Sequence, residues 1–344
     1  MRRELSDKES GAPGRIKMSD IAKLAGVSTS TVSRALSGNT SIPQVLRDQI
    51  VALAQAQGYA INQSARSLRL QRTHVISIIV PLGHEAGQLI SDPFFLEMIG
   101  RLADEITGRG YEVLLTKVAA PQPGWLDRIV QSHRSDGLLV IGQSNQHAAL
   151  NAAAKTYRPL VVWGGALEDQ HYCTVGADNV AGAQLAVEHL IGLGRRRIAF
   201  LGAPEAPEVG LRREGYLLAL AKAGLEPAPE LSAPAHFTVD TAQATVRALI
   251  ESGAQFDAVF AASDLIAITA IQALAAAGRS VPRDVSVVGF DDIALARHSA
   301  PALTTVRQDF AAGAKNMVEL LFRRIAGEDT ASIFMAPELV IRAS

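Results

Sequence analysis

Apolar positions along the chain fall into two regimes. From residue 18 to 59 they recur at helical spacing in three short bursts. Ile21, Ala22, Leu24 and Ala25 form one side of a first helix that Ser19 can cap. Gly26 supplies a turn, and Ser28 can cap a second helix to about residue 37, with Val32, Ala35 and Leu36 on one face. Ser41 and Pro43 open a third, where Leu46, Ile50 and Leu53 keep the i, i+4, i+7 spacing and Gly58 ends the run. Three short helices with a tight glycine turn between the first two predict a helix-turn-helix unit over residues 17–60.

Beyond residue 73 the pattern changes. Apolar, β-branched runs at 75–80, 111–116, 137–141, 160–163, 197–201, 257–261, 285–289 and 338–342 predict strands. Amphipathic stretches at 94–109, 126–135, 179–193, 211–223, 240–252, 264–277 and 309–326 predict the helices between them. Repeated β-α alternation with fully apolar strands means parallel sheets covered by helices on both faces. About 270 residues is generous for one such sheet, so residues 74–344 are expected to form two doubly wound lobes. Ligands in such folds sit beyond the carboxyl ends of the strands, here in the crevice between the lobes. Between the two regimes, residues 61–73 form a polar, basic connector, and residues 1–16 read as a disordered arm.

Charge sharpens this division. Residues 1–72 hold eleven Lys or Arg against five Asp or Glu, whereas the remainder holds 22 against 29, for a net of -1 overall. A basic head on an acidic body points to a polyanion partner for the head alone. The single cysteine, Cys173, excludes an intrachain disulfide and a multi-cysteine metal site and fits a reducing, cytoplasmic setting. The first residues hold no apolar run of signal-peptide type, and no later segment predicts a membrane span.

With Val32, Ala35 and Leu36 turned to the core, Thr29, Ser30, Ser33 and Arg34 remain on the outer face of the second helix. Such a helix fits the major groove, and Arg34 is the natural guanine reader through paired bonds to O6 and N7. A solvated surface arginine is the alternative, and the basic head with its Gly-turned helix pair argues against it. Catalytic signatures are missing: there is no phosphate loop, no G-x-G-x-x-G turn, no H-E-x-x-H, no G-x-S-x-G elbow, and the eight histidines lack ligand spacing. No cofactor or metal is expected, and an enzyme reading would rest on fold alone.

The string DIAKLAGVSTSTVSRALSG, followed by IPQVLRDQIVALAQAQGYAINQSARSL, closely resembles the lactose/galactose repressor family of bacterial transcription regulators, almost without gap over residues 18–70. The resemblance continues through DPFFLE at 92–97, VSVVGFDD at 285–292 and PALTTV at 301–306, so it covers about 18–344. It implies that Thr29, Ser30 and Arg34 read bases, and that Asn62, Ala65 and Leu68 fall on a hinge helix. Leu68 matches the leucine that two subunits push into the minor groove, where an apolar wedge unstacks and bends the duplex. It implies a core like that of periplasmic sugar-binding proteins, two lobes joined by several crossing strands. In the pocket, Phe94 and Phe95 match ring-stacking positions, Arg212 in LRREGY an effector-binding arginine, Asp291 an acidic contact, and Ser263 with Asp264 an Asn-Asp pair. Core packing for the two phenylalanines, a surface arginine, a strand-end cap at Asp291 and a helix N-cap at Asp264 are the structural alternatives. One departure stands out: where many members carry an acidic residue after the strand LVVW, this chain has Trp163-Gly164-Gly165. Trp163 adds a flat apolar surface, and Gln143 is a candidate replacement amide.

The resulting expectation is a homodimeric regulator of repressor type. It binds a palindromic double-stranded operator and is controlled by a small effector, a sugar or sugar derivative, between two lobes. A nucleobase or nucleoside effector, a solute-binding protein and an enzyme remain as alternatives.

Overall fold

The computed structural model describes residues 16–36, 39–59, 72–85 and 87–344. The chain divides into two compact units, residues 1–73 and 74–344. The predicted hinge residues Asn62, Ala65 and Leu68, and the N-terminal arm up to residue 15, lie outside the described residues.

In the head, helices α1 (Met18–Ala25), α2 (Thr29–Leu36) and α3 (Gln44–Ala56) pack around Ile21, Ala22, Val32, Ala35, Ile42, Ile50 and Ala54. Ser19 is not the cap of α1. It sits in the first turn, and the capping contact runs from the Lys17 backbone N–H to the Asp20 carboxylate at 3.0 Å. A carboxylate three residues into the helix satisfies an orphan backbone group and favours the positive end of the helix dipole. Gly26 closes α1 in the left-handed conformation (φ 67°), and the Ser28 hydroxyl accepts from the Thr31 N–H at 3.2 Å to start α2.

The larger unit consists of two lobes. The first holds β1 (Val75–Pro81), α4 (Pro93–Thr107), β2 (Glu112–Val118), α5 (Trp125–Gln131), β3 (Gly137–Ile141), α6 (His147–Ala154), β4 (Leu160–Trp163) and β5 (Cys173–Ala177). The second holds α7 (Asn179–Gly192), β6 (Ile198–Leu201), α8 (Pro207–Lys222), β7 (Ser232–Ala233), α9 (Val239–Glu251), β8 (Ala258–Ala261), α10 (Asp264–Ala276), β9 (Ser286–Asp291) and β10 (Thr304–Arg307). Three last elements, α11 (Phe310–Ile325), β11 (Ile333–Met335) and β12 (Glu338–Val340), are shared out between the lobes. The first sheet runs β11-β5-β4-β3-β1-β2 and is wholly parallel; the second runs β12-β10-β9-β8-β6-β7, with only β12 antiparallel. The chain therefore crosses between lobes three times, after β5, after β10 and after β11.

Both faces of each sheet are covered, as its apolar strands require. In the first lobe α4 and α11 seal one face over Ile76, Ile78, Leu139 and Val161, while α5 and α6 cover Ile79, Leu138, Val140 and Val162. The second lobe has one core built on Phe200, Phe260, Val287 and Phe290. Its α7 and α8 lie so close that a Cβ at Gly215 would stand 2.2 Å from the Val180 carbonyl. Among the described residues, no helix is long and apolar enough to cross a membrane.

Candidate functional site

On the head, Thr29, Ser30 and Arg34 are exposed on α2 and Ser33 is half-buried, while Val32 and Ala35 are buried beneath them. The helical period alone produces this division. The Arg34 Nε donates to the Ser30 carbonyl at 3.4 Å, which lays the side chain back along the helix. The Ser28 hydroxyl lies 2.8 Å from that of Ser30 and 2.9 Å from that of Thr31. The start of α2 thus presents hydroxyl and guanidinium groups from one surface.

In the larger unit, a cavity opens at the carboxyl ends of the strands, lined from both lobes. Six of the eight residues predicted for the effector line it: Phe94, Phe95, Trp163, Arg212, Ser263 and Asp291. Asp92 caps α4 by accepting from the Phe94 N–H at 3.0 Å, and so aims the first turn at the cavity. Phe94 packs edge-on against Phe95 and Phe310, with centroids 5.3 and 5.5 Å away. Trp163 is held against α11, where a Cβ at Gly313 would stand 2.3 Å from its ring. Aromatic faces of this kind take the apolar faces of sugar or base rings.

Arg212 is almost wholly buried. Its Nε donates to the Asn179 carboxamide oxygen at 2.9 Å, its Nη1 to the Ala262 carbonyl, and its guanidinium lies 3.8 Å over the Phe290 ring. The Asp291 carboxylate is 3.6 Å away and also accepts from the Gln308 amide at 2.7 Å. Burial lowers the Arg212 pKa, opposed by the Asp291 charge, and burial raises that of Asp291, opposed by Arg212. Asp291 sits at φ 124° and Asp292 at φ 58°, so the backbone leaving β9 is strained where the carboxylate enters the cavity.

Two predicted residues are used elsewhere. Gln143 is fully buried, and its amide bonds the N–H and the carbonyl of Gly165, both at 2.9 Å, and the Tyr172 hydroxyl at 2.9 Å. A Cβ at Gly164 would stand 2.5 Å from the Gln143 amide carbon. Gly164 therefore makes room for Gln143, which fills the space inside the protein and not in the cavity, while Gly165 makes room for Leu211, whose Cδ1 would stand 2.4 Å from a Cβ there. Asp264 likewise faces inward: its carboxylate accepts from the Ile293 N–H at 2.9 Å and the Thr305 hydroxyl, and burial followed by the Asp291 charge holds its pKa well above the carboxylate range. The N-cap of α10 is Ser263, not Asp264.

Sequence reasoning missed several lining residues: His84, Gln88, Ser144, Glu208 and Phe237. The His84 ring lies 2.8 Å from the Ser144 hydroxyl, edge-on to Phe237, and burial lowers its pKa, with His236 adding to the effect. Among the described residues, two hydrogen bonds also tie the lobes across the cleft. Glu208 accepts from the Gln143 N–H at 3.2 Å, and Glu85 accepts from the Phe237 N–H at 2.9 Å.

The model of bacterial regulatory proteins of the lacI family matches residues 17–62, and that of the periplasmic binding protein-like domain matches residues 187–344. The HTH-type transcriptional regulator CelR of Thermobifida fusca is 32% identical over 330 residues, covering 94% of this chain and 96% of its own. The chain belongs to the lacI family. These relatives are transcription regulators, not enzymes: the HTH-type transcriptional repressor CytR of Escherichia coli K12 is 30% identical over 95% of both chains. A solved complex of CelR with cellobiose superposes with a TM-score of 0.71 at 30% identity, covering 96% of this chain and all of that one. The head, the paired parallel sheets and the cleft are thus those of a sequence-specific DNA-binding regulator with a separate ligand-binding body.

Proposed function

We propose that this family member is a cytoplasmic homodimer that reads a palindromic operator with α2 of each head and is controlled by a sugar or sugar derivative held between its lobes. The observation that carries the effector class is the cavity itself, where the faces of Phe94, Phe237 and Trp163 stand beside the polar groups of Arg212, Asp291, Asp92 and Ser144. Apolar ring faces with hydroxyl-binding groups at their edges match a sugar ring. The bound cellobiose of the CelR structure supports the same class. Thr29, Ser30, Ser33 and Arg34 make the major-groove contacts, and Asn62, Ala65 and Leu68 bind DNA from the hinge, with Leu68 entering the minor groove. Effector binding biases the lobe arrangement, and operator affinity changes with it. No catalytic step is part of this role.

Selection from a random duplex library with purified protein tests it. A palindromic winner whose preference is lost in Leu68→Ala is expected. Equal affinity for that winner and a scrambled duplex at physiological salt refutes operator reading. A nucleoside effector is the second reading, favoured by the paired Phe94 and Phe95 rings, since phenylalanine faces also stack on bases. Calorimetry with sugars and nucleosides decides between the two.

A further inference from the structure

Gln88 is 4% exposed, lines the cavity, and is held at several points. Its N–H bonds the Glu85 carbonyl at 3.1 Å, its carbonyl accepts from the Lys117 ammonium at 2.8 Å, and its side-chain Nε2 donates to the Asp92 carboxylate at 3.0 Å. The amide orientation is fixed by that last bond. Turned over, its oxygen would face the Asp92 oxygen that now accepts the bond, acceptor against acceptor. In the observed orientation, Oε1 is buried and has no hydrogen-bond partner, the one such side-chain atom among the described residues. A buried acceptor left unmet is costly, so a donor from the cavity that Gln88 lines is expected to be favoured there, with a small shift of the lining to admit it.

The charges narrow what brings that donor. Arg212 is the one guanidinium or ammonium among the lining residues, and Asp291 already stands 3.6 Å from it. Asp92 and Glu208 add two carboxyl groups with no lining cation of their own; burial raises the Asp92 pKa, opposed by its bonds from Gln88 and Phe94, and the same burial pushes His84 toward its neutral form. Three lining carboxyl groups, Asp92, Glu208 and Asp291, therefore stand against one lining cation, and the local field is unfavourable to an anion.

We propose that Gln88 is a specificity residue of this cavity: its side-chain oxygen takes a hydroxyl donor from an uncharged, polyhydroxylated ligand, and the surrounding carboxylates reject phosphorylated forms of the same ligand. The inference rests on the sugar reading above and adds which residue demands the donor and which charge state is admitted. A site built to bond a hydroxyl discriminates strongly against an analogue lacking it, because the buried partner is left unpaired.

Calorimetry on the full-length protein tests this, with glucose, ribose and cellobiose, the phosphate ester and each monodeoxy derivative of whichever binds, and adenosine and cytidine. One sugar is expected to bind, its phosphate ester at least about tenfold more weakly, and one monodeoxy derivative at least about tenfold more weakly. In Gln88→Met that deoxy position is expected to lose its effect, with parent and derivative within about threefold, while the thermal midpoint of the ligand-free protein reports its folding. An unchanged deoxy profile in Gln88→Met, or a phosphate ester that binds as tightly as its parent, overturns the proposal and leaves the sugar reading intact. Binding of a nucleoside with no sugar binding overturns both, as does binding of no compound in the set.

Discussion

Arg34 and Asp264 show how differently two charged residues behave when one is on a surface and the other inside. Arg34 lies on the exposed side of α2 with its stem along the helix. If it pairs with a guanine, Arg34→Ala should weaken operator binding by about 1–3 kcal/mol and relax the preference at one position of each half-site. A uniform loss over all sequences, with a shallower salt dependence, would instead make it a phosphate contact. Asp264 has no exposed surface and a pKa well above the usual carboxylate range, first because it is buried and then because Asp291 is near. A folded-state pKa above the unfolded one means that folding takes up a proton. Its contribution to stability is therefore fully present below the unfolded value, near 3.8, and is lost as pH rises through the folded value. In Asp264→Asn the amide oxygen can accept from Ile293 and the amide nitrogen can donate to Thr305, so the network survives without the titration. Urea midpoints from pH 5 to 8 should show wild type losing stability relative to Asp264→Asn; parallel curves would mean that Asp264 titrates as an ordinary carboxylate. The same contrast limits what a sequence reveals. Arg212, Asp291 and Phe94 were legible because they sit in strings with a family resemblance, whereas Gln143 and Asp264 look identical in a string whether they face a cavity or the interior. Phe237 and Gln88 lie in coil without periodicity, where no spacing rule applies.

Elements were legible in proportion to how many consecutive residues carry one pattern. The runs at 137–141 and 160–163 coincide with β3 and β4, because strands buried on both faces are uniformly apolar. Four strands gave no such signal. β5 reads CTVGA, and its glycine is forced by the neighbouring strand: a Cβ at Gly176 would overlap the Gly164 carbonyl. β7 and β11 have two and three residues, and β10, TTVR, is short and polar at all but one position. Helix α6, HAALNAAA, lacks the large apolar residues that mark a stripe. The start of α8 at Pro207, four residues before the expected 211, follows from proline being pre-organised for the first helical position. Close packing of elements yields a sharper test. At Gly215 the atom in the way is backbone, the Val180 carbonyl at 2.2 Å, with the Ala183 Cβ at 2.8 Å behind it. No rotamer change relieves that overlap, so Gly215→Ala has to push α7 and α8 apart. A loss of about 1–3 kcal/mol in urea unfolding is expected, as for other overpacked cores. A neutral or stabilising effect would show that the helices separate at no cost.

At the scale of the whole ligand-binding unit, what matters is that two separately packed lobes meet across a polar cleft. Three crossings of the chain join them, and the cores do not merge: the first lobe packs around Ile78 and Leu139, the second around Phe200 and Phe260. A pair of lobes with independent cores can shift as rigid bodies, and its rest position is set by the few contacts that bridge the gap. Glu85 supplies one without lining the cavity: it accepts from the Phe237 N–H at 2.9 Å, with the His236 ring 3.8 Å away. Because Phe237 does line the cavity, this bond places an aromatic wall of the site from the opposite lobe. Removing it should favour the open arrangement and so weaken the effector without touching it. A hydrogen bond to a charged acceptor contributes about 1.5–3 kcal/mol, and each 1.4 kcal/mol is about tenfold in affinity. Glu85→Ala is therefore expected to bind effector about tenfold more weakly, with faster amide exchange at Phe237. Glu85→Gln keeps an accepting oxygen and should lie near wild type in both measurements. Faster exchange with unchanged affinity would separate the bond from lobe closure and place the controlling contact at Glu208, whose bond to the Gln143 N–H spans the same cleft.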